Sequence, residues 1–381
     1  MKRDDTDGSA DPARSPKRNK ESRLGDLMGG ELGYSTSDLK AFAPLQRVVL
    51  TANGNLQRIV SSYYNAEVLV VVRHNRRVAH GQYHRQVDIK VFDTVICRAT
   101  TKVNIDRDDL IKALEDGVAL GQLFREFDLL PTFELRAAGR VAPREGGPTD
   151  PTAANADEFD ALPSRFWRDY TLAADGFECL IHEDMRGDLF ELSPPPTAAT
   201  DEVSRTGVQR PSFGDIMLAG ANTYIPLPDG FTPLQRILMS ANGNVERVVS
   251  SFHARPVQTY VVVNHAREGG LVYDRQVALL LDGRQLMCAK TTCFLTDPQW
   301  AKAVNSDGIA IGGLFAHFQV LPMFTLHSAG RLPTGFWRQY QLRSTGLTCE
   351  INETFDDSAL QLLDTSLTQA QSEPEPMYGS I

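Results

Sequence analysis

Leu56, Ile59 and Val60 fall on one face at helical spacing, with polar residues between them. The spacing predicts a helix in the second half of 44–63, with Asn55 placed to cap it. A first, shorter helix precedes it and ends at Ala52-Asn53-Gly54. The pattern then changes period. Residues 68–73 (VLVVVR) are short and β-branched, which predicts a strand. Over 84–91 polarity alternates, with Arg85, Val87, Ile89 and Val91 on one side. Residues 94–105 predict another strand, and the short turn before it makes the two a hairpin. Helical patterning returns over 109–129, interrupted by Gly117 and Gly121. A strand follows at 132–139, and a last hairpin pairs 167–173 with 177–182 around Ala174-Asp175-Gly176.

The same pattern is written twice. Residues 42–63 (FAPLQRVVLTANGNLQRIVSSY) return at 231–252 as FTPLQRILMSANGNVERVVSSF. YHRQV at 83–87 returns as YDRQV at 273–277, and LFREFDLLPTFELRAAGR at 123–140 as LFAHFQVLPMFTLHSAGR at 314–331. FWRDYTLAADGFECLIHED at 166–184 returns as FWRQYQLRSTGLTCEINET at 336–354. The spacing is about 190 residues, far above the ~20–50 of solenoids and propellers. The repeating unit is therefore a whole domain. Each copy carries five or six strands and about three helices, with strands adjacent in sequence. That arrangement predicts an α+β fold: two tandem copies of an antiparallel sheet with helices packed on one face.

The boundaries follow from composition. Residues 1–36 read as a disordered polar tail, 37–190 as copy one, 191–212 as a Pro/Ser/Thr-rich linker, 213–365 as copy two, and 366–381 as a second disordered tail. Copy one carries an insert, 141–164, where copy two has only 332–335. Its Pro, Gly and Asp content predicts an exposed loop. Lys2-Arg3 and Pro16-Lys17-Arg18-Asn19-Lys20 have the spacing of a bipartite nuclear address, and solvation of the tail explains the same charges.

At 381 residues each copy is long enough to bury a core of its own, and 42% hydrophobic content is ordinary for a globular chain. A net charge of −9 argues against a nucleic-acid surface over the whole body, leaving a local basic patch open. No apolar run approaches the ~18 residues that span a bilayer, and no apolar leader opens the chain. A soluble protein of the cytoplasm, or of the nucleus if the tail is an address, is expected. Of five cysteines, Cys97 matches Cys288 and Cys179 matches Cys349, with Cys293 left over. Free buried thiols and a Cys97–Cys179 disulfide are the two readings. No Cys/His cluster has metal-ligand spacing, so no metal is expected.

Candidate chemistry must lie in residues kept by both copies. Arg85 and Arg275 sit inside apolar strands, and a buried guanidinium needs an anion from the protein or from a ligand. Glu183 and Glu353 close the last strand of each copy, where an inward carboxylate is equally costly unless paired. Each Arg–Glu set is either a structural ion pair across the sheet or a pocket where arginine grips a carboxylate and glutamate handles a hydroxyl or proton. Arg140 and Arg331, in Ala-Gly-Arg, are carboxylate clamps or turn residues. Arg168 and Arg338 are expected on the solvent side of their strand, and Trp167 and Trp337 in the core. Ser61-Ser62 and Ser250-Ser251 have no histidine kept beside them, so no Ser-His-Asp triad is supported.

The order of these blocks resembles chorismate lyase (chorismate–pyruvate lyase) and its wider superfamily of ligand-binding domains. The blocks are strand-borne Arg in YDRQVALLLDG, then IGGLF and LPMFTLHSAGR, then FWRQYQL and GLTCEINETF. The resemblance covers about 140 residues of each copy. It implies a six-stranded antiparallel sheet with helices on one face and a buried pocket. It also implies cleavage of chorismate to 4-hydroxybenzoate and pyruvate with no metal or organic cofactor. The family's essential strand arginine falls on Arg275 and Arg85. Its late glutamate falls on Glu353, followed by Phe355, and on Glu183, where copy one has Met185 instead of an aromatic. The family's backbone ligand contact falls near Gly313-Leu314 and Gln122-Leu123. Two functions are then open: a cofactor-independent pyruvate lyase with copy two the active half, or a non-catalytic tandem binder of a small anionic aromatic or cyclic acid. The two copies are expected to meet as an intramolecular mimic of a dimer.

Overall fold

In a computed structural model, the described residues are 31–32, 39–116, 118, 123–124, 126–141, 158–194, 222–357 and 360. The basic clusters, most of the linker and insert, and the C-terminal tail lie outside them. Copy one runs α1 (Pro44–Leu50), α2 (Leu56–Tyr64), β2 (Val68–Ala79), β3 (Gln82–Val91), β4 (Thr94–Ile105), α3 (Asp108–Glu115), β5 (Thr132–Val141), β6 (Arg165–Ala174) and β7 (Phe177–Arg186). Copy two repeats this as α4 (Pro233–Ser240), α5 (Val245–His253), β9 (Gln258–Ala266), β10 (Val272–Leu281), β11 (Arg284–Leu295), α6 (Pro298–Asn305), a 3-10 turn (Ile311–Gly313), α7 (Leu314–His317), β12 (Met323–Leu332), β13 (Gly335–Arg343) and β14 (Leu347–Asp356). Two-residue strands β1 (Glu31–Leu32) and β8 (Asn222–Thr223) add to the two edges of the first sheet.

The long strands lie in the order β5-β6-β7-β4-β3-β2 and β12-β13-β14-β11-β10-β9, all antiparallel. Each is an α+β domain, as the two hydrophobic periods require. The turn between β3 and β4 has Phe92 and Asp93 at φ 51° and 61°, and that between β10 and β11 has Asp282 and Gly283 at 49° and 77°. Two successive positive φ values match the right-handed twist of a hairpin. Strands run longer than their apolar stretches suggest. β2 continues to Ala79, and β7 and β14 continue past Glu183 and Glu353, so neither glutamate closes its strand. Asn55 is the N-cap of α2, although its side chain makes no capping hydrogen bond.

Strand register corrects the cysteine alignment. Ala99 faces Glu183 and Ala289 faces Glu353, so Cys97 is equivalent to Met287 and Cys293 to Val103. All five cysteines are free, with Cys97, Cys179, Cys293 and Cys349 buried. Cys97 pairs in register with Met185 and Cys179 with Val103, on separate rungs of the ladder. Trp167 and Trp337 are half-buried on the sheet face away from the helices, outside the core. Each lies flat over the glycine of Ala-Gly-Arg, and a Cβ on Gly139 or Gly330 would come within 2.7 or 2.8 Å of the indole.

The helical hairpins join the two halves. α1 lies against α5, and α2 against α4. Arg47 donates through Nε to Ser251 O at 2.8 Å and through Nη2 to Phe252 O, while its Nη1 reaches Phe42 O at 2.5 Å. Arg236 repeats the set with Ser62 O at 2.9 Å, Tyr63 O, and Phe231 O at 2.6 Å. Arg58 donates to Ser240 O and Arg247 to Thr51 O, both at 3.1 Å, and each is 1% exposed. Ser62 Oγ donates to Ser240 Oγ, and Thr51 and Ser251 share a hydroxyl contact, both at 2.6 Å. Buried carbonyls at helix ends need donors, and these arginines supply them across the junction. Residues 222–227 also belong to this junction: Ile225 N donates to Ser61 Oγ, and Asn65 brackets Leu227. No described helix is long and apolar enough to cross a membrane.

Candidate functional site

The inner face of the second sheet is covered unevenly. α5 begins at one end of it, and the 3-10 turn with α7 covers the other. A cavity of about 230 Å³ remains between them. Val277, Leu279, Met287, Ala289, Phe315 and Leu342 give it apolar walls, and Gly243 and Val245 lie at the helix start. This volume is below the ~300–1,000 Å³ of drug-sized sites, so it suits one small ring or acid.

Arg275 reaches this cavity from β10, between Thr291 of β11 and Asn264 of β9. It is half-buried, and makes no hydrogen bond or ion pair with any described residue. A cation set in an apolar wall without a fixed counter-ion is a site for a mobile one. Arg85 holds the matching position in copy one, between Asn75 and Thr101. Burial lowers its pKa, and the Cys179 sulfur acts the other way. No described carboxylate neutralises it. The copy-one wall equivalent to Ile311 and Gly312 falls outside the described residues.

Glu353 lines the same cavity but is already occupied. Arg338 Nε donates to Oε2 at 2.7 Å, and Tyr340 Oη donates to Oε1 at 2.8 Å. Arg338 is 0% exposed and also donates Nη1 to Met239 O and Ala241 O at 2.9 and 2.6 Å, tying the end of α4 to the sheet. In copy one Arg168 Nε donates to Glu183 at 2.7 Å and Nη1 to Leu50 O and Ala52 O, while Tyr170 completes the carboxylate at 2.9 Å. The expectation that Arg168 and Arg338 face solvent is therefore overturned. Their strand alternation puts them inward with Phe166 and Tyr170, or Phe336 and Tyr340, and the helix-end carbonyls supply the acceptors. Of the two readings of the Arg–Glu sets, the structural ion pair falls to other arginines: Glu183 pairs with Arg168 and Glu353 with Arg338, not with Arg85 and Arg275. Burial, and next the carboxylate charge, hold the Tyr170 and Tyr340 phenols well above their ordinary pKa, so both stay donors.

The remaining candidates lie apart from the cavity. Arg331 donates to Gln235 Oε1 at 3.0 Å and pairs with Asp357 at 3.3 Å, bracing the start of α4. Arg140 donates to Ala41 O at 2.7 Å and covers the Phe42 ring at 4.9 Å, bracing the start of α1. Both are clamps between strand and helix. Gly313 is exposed and Leu314 is buried in the core, while their neighbours Ile311, Gly312 and Phe315 form the wall. Leu123 is likewise in the core, and Gln122 lies outside the described residues.

The outer face of the second sheet carries a larger groove of about 700 Å³. Its acids are already engaged: Asp274 with Arg267 at 2.8 Å, and Glu350 with Gln341 at 2.6 Å. Arg275 borders this groove as well as the inner cavity, and the apolar walls of the inner cavity make it the better fit for a ring. Among the described residues no group of three or more His, Cys, Asp or Glu could hold a metal ion. No protein-family model matches the chain, and no curated protein matches it.

Proposed function

We propose that this protein binds a small carboxylated ring compound in the copy-two cavity, with Arg275 as counter-ion to the carboxylate. The observation that carries this reading is Arg275 itself, unpaired among the described residues on the wall of a 230 Å³ apolar cavity. The apolar walls suit a ring, and a guanidinium gives a carboxylate two parallel donors. Binding without chemistry is favoured over lyase activity because Glu353 has both oxygens engaged by Arg338 and Tyr340. A carboxylate held that way is a poor proton carrier.

The second reading is chorismate-like elimination of pyruvate to leave an aromatic acid. Its support is that Arg275 and Glu353, the two positions implied by the resemblance, share one cavity. For this, Glu353 would exchange its Tyr340 contact for the substrate. The reciprocal contacts of α1 with α5 and α2 with α4 support a third element of the proposal, that the two halves stand in for a dimer of single domains.

Calorimetric titration with benzoate, 4-hydroxybenzoate and chorismate tests the site. Binding of at least one is expected, with a loss of about 10–100-fold in Arg275→Met, the value of one desolvated charged contact. A chorismate incubation monitored for pyruvate separates binder from lyase. Failure of all three acids to bind would end the reading.

A further inference from the structure

Two sulfur atoms share the wall of the copy-two cavity. Cys293 of β11 and Cys349 of β14 are direct partners in the antiparallel ladder, and their Sγ atoms lie 3.4 Å apart. Both side chains line the cavity, beside Arg275. Copy one has no such pair, because Val103 occupies the position of Cys293 opposite Cys179. We propose that Cys293 and Cys349 form an oxidation site for small hydroperoxides, with Cys293 as the attacking sulfur and Cys349 as the resolving one.

The step balances without a further reactant. The Cys293 sulfur attacks one peroxide oxygen and the O–O bond breaks. The departing oxygen leaves as an alcohol or water after taking a proton, and Cys293 becomes a sulfenic acid. The Cys349 sulfur then attacks Cys293, the S–O bond breaks, and the oxygen leaves as water with the Cys349 proton. The net change is two thiols and one hydroperoxide to one disulfide, one alcohol or water, and one water.

Geometry pairs the two sulfurs, and electrostatics orders the attack. Directly opposed cross-strand residues hold their Cβ atoms near the span of a disulfide, and the sulfurs need to close by about 1.4 Å to reach bonding distance. The hydrogen bond shared with Cys349, and next among the lowering influences the positive charge of Arg275, hold the Cys293 thiol below its ordinary pKa against the effect of burial. The same hydrogen bond, with burial, keeps Cys349 protonated well above it. Thiolate nucleophiles form in such electropositive settings. Cys97 and Cys179 are raised by burial and serve as internal controls.

The inference stands on the sulfurs of the cavity and not on the organic-acid reading, and a thiol count reads one without the other. Folded full-length protein is treated with hydrogen peroxide, then unfolded, alkylated and digested with trypsin. The expected result is a drop from five titratable thiols to three, a mass lower by two hydrogens, and a disulfide joining peptides 291–302 and 344–381. Cys349→Ser should halt the reaction at a dimedone-reactive sulfenic acid on Cys293. Cys293→Val, which installs the residue that copy one carries at Val103, should keep the fold and lose the cross-link. Survival of all five thiols overturns the proposal. So does a disulfide formed only after unfolding, or oxidation that leaves these two peptides unjoined.

Discussion

Arg338 and Glu353 form a buried ion pair at 2.7 Å, with the guanidinium fully enclosed. Tyr340 donates to the carboxylate, and two helix-end carbonyls accept from the guanidinium. Removing one partner of such a pair leaves a charge with no route to water. Glu353→Gln is therefore expected to cost about 3–5 kcal/mol in urea unfolding. Tyr340→Phe, which removes one donor to a charged acceptor, should cost less, about 1.5–3 kcal/mol. Near-equal stability of Glu353→Gln and the parent would show that the pair is dispensable.

Arg47 and Arg236 predict a matched pair of effects. Each ties the first helix of its own half to the end of the second helix of the other through two carbonyl contacts, and holds a third carbonyl of its own half. Met in either place strands those carbonyls, at about 2–5 kcal/mol. The two losses should agree within about 1 kcal/mol, since the contacts are equivalent. A large loss in one variant and none in the other, measured by the same urea titration, would show that the junction is not shared equally.

The sheets were legible because alternation and turn residues are local signals. Val87, Ile89 and Val91 are inward as their spacing requires. Arg168 and Arg338 obey the same alternation, sharing a face with Phe166 and Phe336, and their charge argued misleadingly against it. Their acceptors, Leu50 O, Ala52 O, Met239 O and Ala241 O, are about 100 residues away and cannot be seen from a strand. The preservation of Arg47, Arg58, Arg236 and Arg247 in both copies was the available sign of the junction. What hid their role is that each one's partner is the other copy. A shared letter also misled: the strings around Cys97 and Cys288 match by eye, whereas strand register sets them one residue apart.

Arg275 predicts the opposite behaviour to Arg338. A half-buried cation with no fixed partner contributes nothing to offset its desolvation. Arg275→Met should thus leave thermal stability unchanged or raise it, while weakening acid binding. A clear fall in melting temperature would mean that the side chain has a structural partner.

His253 ends α5 beside the junction, and its Nε2 is buried without a hydrogen-bond partner among the described residues. Burial first, then the positive charges of Arg47 and Arg255, push its pKa down to about 3, with Asp282 acting weakly the other way. The unfolded chain takes up this proton near pH 6.5, the folded chain only near pH 3. Between those values the unfolded state binds more protons, so stability falls as pH falls, by at most about 1.4 kcal/mol per pH unit from this group. Above pH 6.5 both states are neutral and the contribution is constant. His253→Gln should remove that part of the slope, read as the difference between two urea titrations at pH 5 and at pH 7. Parallel losses in parent and variant over that interval would show that His253 gains its proton without penalty in the folded protein.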